Sequence, residues 1–312
     1  MQDNKEMREV YCESLIELAN KNPNICVIEA DLTNCIKTAP FQKAFPDRFF
    51  NVGIAEANMV GISAGLASCG KIPFCSSFGP FATRRCFDQV FISVAYAKQN
   101  VKIVGTDPGV CAEYNGGTHM PFEDMALMTS VPTMLCVEPT DATMLRALMP
   151  QIANADCPVY VRLQRKKANT VFSENDTFDI NKAKKIRDGK DATIICSGIM
   201  VAPAIKASEI LAEQGIEVTI LNTFTWKPID EQAIIECANN TGAIVVAENH
   251  NRINGLFGAV ADVLARNCPT IMESVGVQDK FGQVGKMNFL MEQYNLTEND
   301  IVEATKKAFA RK

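Results

Sequence analysis

Glu56 is the residue of this chain best placed to do chemistry. It follows the apolar Val52 and Ile54 and the turn-forming Gly53, and it opens a helix whose faces are small: Ala57, Gly61, Ser63, Ala64, Gly65 and Ala67. A carboxylate at the mouth of such a helix is largely desolvated unless a partner donates to it or shares its proton. A glutamate at a helix start also has a plainer use, because the positive end of the helix dipole favours it. The small residues let another backbone come close to that helix.

Other candidates lie at strand ends. Asp31 closes the buried run ICVIEAD, and Arg165 closes CPVYVRLQR. Charges in such places point toward the crevice where α/β folds bind ligands, and a guanidinium fork suits phosphate or sulfonate oxygens. Asp31 can equally cap a helix. Arg8 stands in the first turn of an N-terminal helix. The chain has two histidines, His119 in the long connection TDPGVCAEYNGGTHMPFED and His250 after the strand AIVVAEN. Long connections tend to be functional, while a lone loop histidine is more often a structural hydrogen-bonder. Neither has Asp, Glu or Cys at metal-ligand spacing, so no metal is assigned to this chain. Phe78 and Phe81 stand where KIPFCSSF runs into a helix. Aromatic residues there are usually core, yet they also offer a face to a planar heterocycle.

Positioning these residues takes regular elements on a fixed frame. Apolar spacing predicts a helix over 6–20, strands at ICVIEADL, KIPFCSSF, VKIVG and CPVYVRLQR, and one helix through GPFATRRCFDQVFISVAYAKQ with Phe87, Val90, Phe91 and Val94 on one face. The polar stretch KKANTVFSENDTFDINKAKKIRDGKD reads as a solvated linker. Beyond it a new alternation begins: ATIICSG, VAPAIKASEILAEQG, IEVTILN, DEQAIIECANNTG, AIVVAEN and NGLFGAVADVLARN. Strands alternating with amphipathic helices mean a mostly parallel sheet with helices on both faces. The expected fold is therefore α/β with two doubly wound domains, over 1–172 and 191–312, joined by a linker over 173–190. No GxGxxG follows a strand and no GxxxxGK[ST] occurs, so neither nucleotide fingerprint is present.

Composition excludes several classes. At 312 residues, two domains are the natural size expectation, and 47% hydrophobic against 21% charged residues allows sizeable cores. A formal charge of −5 without a basic run argues against nucleic acid as a partner. The twelve cysteines are scattered singly, without CxxC or zinc spacing, and mostly inside apolar runs such as those of Cys26, Cys136 and Cys196. That implies a reducing compartment. The charged start MQDNKEMREV lacks a secretion signal, and no apolar run reaches the roughly 18 residues of a membrane span. A cytoplasmic protein is expected.

FFNVGIAEANMVGISAGLA resembles the segment that carries the cofactor-activating glutamate of thiamine diphosphate enzymes of the transketolase group. The resemblance extends through ADLT, SSFGPFATRRCFDQV, GGTHMPFED, VRLQR, ATIICSG and VVAENH, and covers a pyrimidine-binding domain and a C-terminal domain, without the diphosphate-binding domain. It implies that Glu56 hydrogen-bonds the aminopyrimidine and stabilises its imino tautomer, whose nitrogen removes the thiazolium proton. It implies that Phe78 and Phe81 lie next to the pyrimidine, that Leu32 and Ile54 are apolar contacts of the cofactor, and that His119 meets a substrate hydroxyl with catalytic effect. Arg8, Asp31 and Arg165 resemble sugar- and phosphate-contacting positions. Three positions depart: Cys35 replaces a usual serine, Asp107 a histidine and Asn115 an aspartate. These changes leave cofactor activation intact and put the usual pentose phosphates in doubt, with sugar phosphates and sulfosugars both open.

The reaction implied is transfer of a two-carbon ketol unit from an anionic ketose to an aldose. Mg²⁺ bridging the diphosphate needs oxygen ligands, which the family takes from a GDG sequence and an Asn-rich end. This chain contains no GDG. Because it opens at Met1 with a plausible helix, a gene split is expected rather than a truncation, with an N-terminal diphosphate-binding subunit holding the metal ion in an α₂β₂ assembly. Two other readings stay open: the β subunit of a 2-oxoacid dehydrogenase, and a non-catalytic stabilising partner. GGTH and ADLT, with Arg8 and Arg165, favour the transketolase side.

Overall fold

The apolar runs of the first half form the centre of a seven-stranded sheet. The computed structural model describes residues 5–312, and among them the strands in chain order are β1 (Ile25–Glu29), β2 (Phe49–Asn51), β3 (Ile72–Phe78), β4 (Lys102–Thr106), β5 (Leu135–Val137), β6 (Val159–Leu163), β7 (Lys184–Arg187), β8 (Ala192–Cys196), β9 (Val218–Asn222), β10 (Thr225–Lys227), β11 (Ala243–Asn251) and β12 (Ile271–Val277). The first sheet has the order β10-β5-β6-β4-β3-β1-β2, and the second β12-β11-β8-β9-β7. β1, β4, β5 and β6 are buried at every position, as strands covered by helices on both faces must be. Parallel pairing runs from β5 to β2, so these strands end at one edge of the sheet.

Three features differ from the periodicity-based expectation. The stretch 173–190 carries β7, an antiparallel edge strand on β9. Its Phe178 packs edge-on between Phe172 at 4.9 Å and Phe224 at 6.3 Å, so apolar anchors spaced among charges hold it down. TFTWK, just after β9, crosses to the first sheet as β10 and pairs antiparallel with β5. The expected single helix over 79–99 is broken. Its first turn, Gly79–Ala82, ends where Thr83 leaves helical geometry (φ −118°, ψ −90°) and donates its Oγ1 to the Gly79 carbonyl at 2.7 Å. A tight turn at Arg84–Cys86 and a wide π turn over Val90–Tyr96 follow. No helix among the described residues is long and apolar enough to cross a membrane.

The two sheets are tied by a buried ionic cluster. Arg162, on β6, is fully buried, and its guanidinium donates to Asp124 (2.8 and 2.9 Å), to Glu138 (2.7 Å) and to the backbone carbonyl of Asn249 in the second half (2.9 Å). Glu138 also accepts from Ser197, which in turn accepts from the Trp226 indole at 3.0 Å. His250 lies inside β11 and is fully buried, accepting from the Ala126 N–H at 3.3 Å and donating to the Asn251 carbonyl at 2.7 Å. Burial, with Arg162 adding to it, depresses its pKa to about 4, so it is a neutral structural hydrogen-bonder.

Removing the cation would strand two carboxylates in the interior. Arg162→Met is expected to cost roughly 3–5 kcal/mol, the range for one partner deleted from a buried ion pair. Urea denaturation of the two proteins checks this, and a loss under about 1 kcal/mol would contradict the role given to the cluster.

Candidate active site

The carboxyl edge of the first sheet gathers most of the chemistry-bearing residues, because neighbouring parallel strands end side by side there. Phe78 is the last residue of β3, Asp107 follows β4, and Arg165 lies two residues beyond β6. Thr106 and Leu163, at the ends of β4 and β6, are register partners. Asp107 and Arg165 therefore emerge together. β2 ends at Asn51, Gly53 turns the chain at φ +74°, and the helix Glu56–Ser68 begins.

Glu56, at the first position of that helix, is 4% exposed. Its Oε1 accepts from Arg85 Nη1 at 2.8 Å. The Arg85 guanidinium lies 3.7 Å from the centroid of the Phe81 ring, so one flat cation is both paired with the carboxylate and laid on the aromatic face. Arg85 follows the break at Thr83, in the tight turn Arg84–Cys86. Phe81 meets His119 edge-on at 4.9 Å, and Phe78 meets Phe81 at 6.1 Å and His119 at 5.7 Å. Burial lowers the His119 pKa below its ordinary value, and the Arg85 and Arg84 charges lower it further. The imidazole is thus neutral near pH 7, with Nδ1 2.9 Å from the Thr118 hydroxyl.

A second cluster adjoins the first at Phe78, whose ring is 5.7 Å from the Arg165 guanidinium. Arg165 Nε is 3.0 Å from Asp107 Oδ1, a charge contact without hydrogen-bond alignment. Asp107 is fully buried, sits at φ +60°, and accepts from the Thr106 hydroxyl at 3.0 Å. Burial pushes its carboxyl up to about 6, against the pull of Arg165. The Arg8 N–H donates to the Arg165 carbonyl at 3.2 Å, and the Arg8 guanidinium donates to the Cys35 carbonyl and, at 2.7 Å, to Glu6.

Glu56, Phe78, Phe81 and His119 thus form one group, and Arg8, Cys35, Asp107 and Arg165 an adjoining one. Asp31 is exposed at φ +62° and trades hydrogen bonds with the Asn51 side chain at 3.1 and 3.4 Å, so it caps no helix. Leu32 is half-buried against the core under β1, Asn115 is exposed, and Ile54 is 76% exposed. None of these four joins either group within this chain. Among the described residues no His, Cys, Asp and Glu group could hold a metal ion.

Sequence reasoning passed over Arg85, although the double arginine soon after Phe81 was a signal. It also missed the brace on the His119 loop. The Asn249 side chain accepts from the Val110 N–H at 3.0 Å and donates to the Pro108 carbonyl at 2.9 Å. A Cβ on Gly117 would stand 2.4 Å from the Gly282 carbonyl, so only glycine lets the second half close on that loop. Nothing local in sequence announces contacts of that separation.

Comparison with known proteins gives a consistent result. Residues 3–170 match the pyrimidine-binding domain of transketolase, and residues 181–301 its C-terminal domain. A 6-deoxy-6-sulfo-D-fructose transketolase subunit of Clostridium sp. (strain MSTE9) is 49% identical over 98% of this chain and 95% of its own length. An apulose-4-phosphate transketolase subunit from Phocaeicola vulgatus is 35% identical over 94% of each chain. Among solved structures, a split-gene transketolase described as an inactive β4 tetramer superposes with a TM-score of 0.90 at 42% identity, covering 98% of this chain and 99% of that one.

The Asp107 carboxyl makes a pH test available. The folded carboxyl holds its proton up to about pH 6 whereas the unfolded one releases it near 3.8, so between those values the folded state binds more protons and stability falls as pH rises. Asp107→Asn removes that slope. Denaturation of both proteins across this window should show the variant gaining roughly 1–3 kcal/mol on the wild type. Parallel curves would contradict the burial assigned to Asp107.

Proposed function

The chain belongs to the transketolase family, and from that premise we propose that it is the pyrimidine-side subunit of a split transferase. It moves a two-carbon ketol unit from an anionic ketose to an aldose, and it is active only with a separate diphosphate-binding subunit. The observation that carries this reading is the buried Glu56 carboxylate engaged by a flat N–H donor lying on Phe81. Arg85 is a stand-in within the chain. A planar ring with N–H groups and a hydrogen-bonding nitrogen presents the same combination to the same two partners, so these residues fit the aminopyrimidine end of thiamine diphosphate.

When bound, thiamine diphosphate supplies the electron sink for breaking the bond beside a ketose carbonyl. The chain's own residues supply positioning and proton control. Glu56, 4% exposed, would hydrogen-bond the pyrimidine in a place where water does not compete for the contact. Arg85 must swing off Glu56 and Phe81 for that contact to form; its side chain is 44% exposed, so solvent is open to it. Phe78 and Phe81 wall the ring. His119, neutral and against both phenylalanines, is set to give or take a hydrogen bond at a substrate hydroxyl. Arg8 and Arg165 hold the anionic end, far enough from the reacting carbons to orient them without touching them.

Mg²⁺ and the diphosphate fall to the partner subunit in this reading, since the chain has no GDG sequence. The partner's contact is the face beside Glu56. Ile54, Ile92 and Tyr96 are 76%, 50% and 80% exposed, and Cβ atoms added to Gly61 and Gly65 would meet nothing within 4 Å. An apolar and small-residue surface of this kind is built to be covered. Two such pairs about a two-fold axis give α₂β₂. The inactive β4 assembly of the similar split-gene enzyme agrees with a chain that lacks half its site. We place the enzyme in the cytoplasm, where its twelve cysteines stay reduced.

The test is Glu56→Gln in the complex reconstituted with the diphosphate-binding subunit. Two-carbon transfer from ketose to aldose should fall by roughly two to four orders of magnitude while circular dichroism is unchanged. Full turnover by the variant would remove Glu56 from the mechanism. Release of carbon dioxide from a 2-oxoacid, with no ketol transfer, would point to the dehydrogenase class instead.

A further inference from the structure

The anion end of the site is charge-compensated, which is unusual for a place meant to hold a phosphate. Arg165 faces Asp107 at 3.0 Å, Arg8 donates to Glu6 at 2.7 Å, and Lys166 is paired with Glu113. The three cations thus enter with three carboxylates beside them. Asp107 is the innermost of these: it is fully buried, and Arg165, Arg8 and Lys166 all act on its charge. Its Oδ1 and the Arg165 Nε are buried without a hydrogen bond, although they touch. The pairing therefore weakens the field of Arg165 without saturating the guanidinium.

We propose that Asp107 makes this subsite select a ketose ending in a singly charged sulfonate over one ending in a doubly charged phosphate. The inference rests on the transketolase reading for the rest of the substrate, but its electrostatics are independent of the reaction. A sulfonate carries one charge at any pH near neutrality. A phosphate monoester approaches two above its second ionisation near pH 6. Both can use the two arginine forks for their oxygens. The second charge of the phosphate finds no excess of positive charge to meet it, and it lies close to a buried carboxylate where water screens poorly. Taking up a proton on Asp107 would relieve the repulsion. A group that titrates near 6 is protonated in only about one molecule in a hundred at pH 8, so that route carries its own hundredfold penalty. Replacing a neutral or cationic side chain by Asp at this strand end thus acts against dianions specifically, which is how a site rejects a close analogue of similar shape.

The experiment compares 6-deoxy-6-sulfofructose, fructose 6-phosphate and the uncharged ketose erythrulose as donors at pH 8, using the reconstituted complex and its Asp107→Asn variant. The wild type is expected to favour the sulfonate over the phosphate by about tenfold or more in kcat/KM, and the variant to move that ratio toward the phosphate by about tenfold. Transfer from erythrulose with a sulfonate-to-phosphate ratio identical in the two proteins would overturn the proposal and leave the transketolase reading standing. Calorimetric titration of the same complexes with ethanesulfonate and ethyl phosphate reads the charge preference without turnover. Tighter ethyl phosphate in the wild type overturns the proposal whatever reaction the enzyme performs; tighter ethanesulfonate, reversed or levelled in Asp107→Asn, supports it.

Discussion

A buried guanidinium holds this molecule together. Arg162 stands on β6 of the first sheet and hydrogen-bonds two carboxylates of its own half and the Asn249 carbonyl of the other. Such a cluster stabilises little compared with an apolar isostere, but breaking it is costly, so its effect is to fix how the halves sit. The fixed arrangement has a consequence at the site. Asn249 itself clasps the loop that starts at Pro108, and that loop carries His119 to the phenylalanine pair. The second sheet contributes no residue to either group at the site, yet it decides where the histidine stands.

Parallel strand order supplies the rest of the geometry. Because β3, β4 and β6 are neighbours and end at one edge, Phe78, Asp107 and Arg165 come from distant parts of the sequence to one place. The two groups meet at Phe78. One side is apolar and flat, with a single buried carboxylate; the other is ionic, with its cations already partnered. That division matches a substrate whose reacting carbons lie against an aromatic heterocycle while a charged tail is held several bonds away. In the proposed reading the charge balance of the tail region governs which anions enter, with the buried Asp107 tipping it.

Much of this was legible in the sequence, and what was hidden has physical causes. Strands β1, β3, β4, β6, β8, β9 and β11 read correctly because burial leaves continuous apolar runs such as VYVRL, whereas the three-residue β5 and the half-buried β12 went unread. Glu56 stood out because a carboxylate between apolar residues and a small-faced helix is largely desolvated and because the motifs around it resemble a known family; its burial agrees with the first of these. The helix over 79–99 was misread since periodicity in Phe87, Val90, Phe91 and Val94 survives a break at Thr83, where no glycine or proline announces the departure from helical geometry. Strand β10 was hidden because a three-residue strand has no period. Arg85 on Glu56 and Asp107 beside Arg165 are contacts between side chains far apart in sequence, which no local pattern encodes.

In the proposed reading Glu56 and Phe81 form half of a cofactor site, completed by another chain. The decisive measurement is isothermal titration of thiamine diphosphate with Mg²⁺ into this chain alone, and then into its mixture with the diphosphate-binding subunit. The isolated chain is expected to show no saturable binding, and the mixture tight binding with ketol transfer. Tight binding and transferase activity in the isolated chain would contradict that reading.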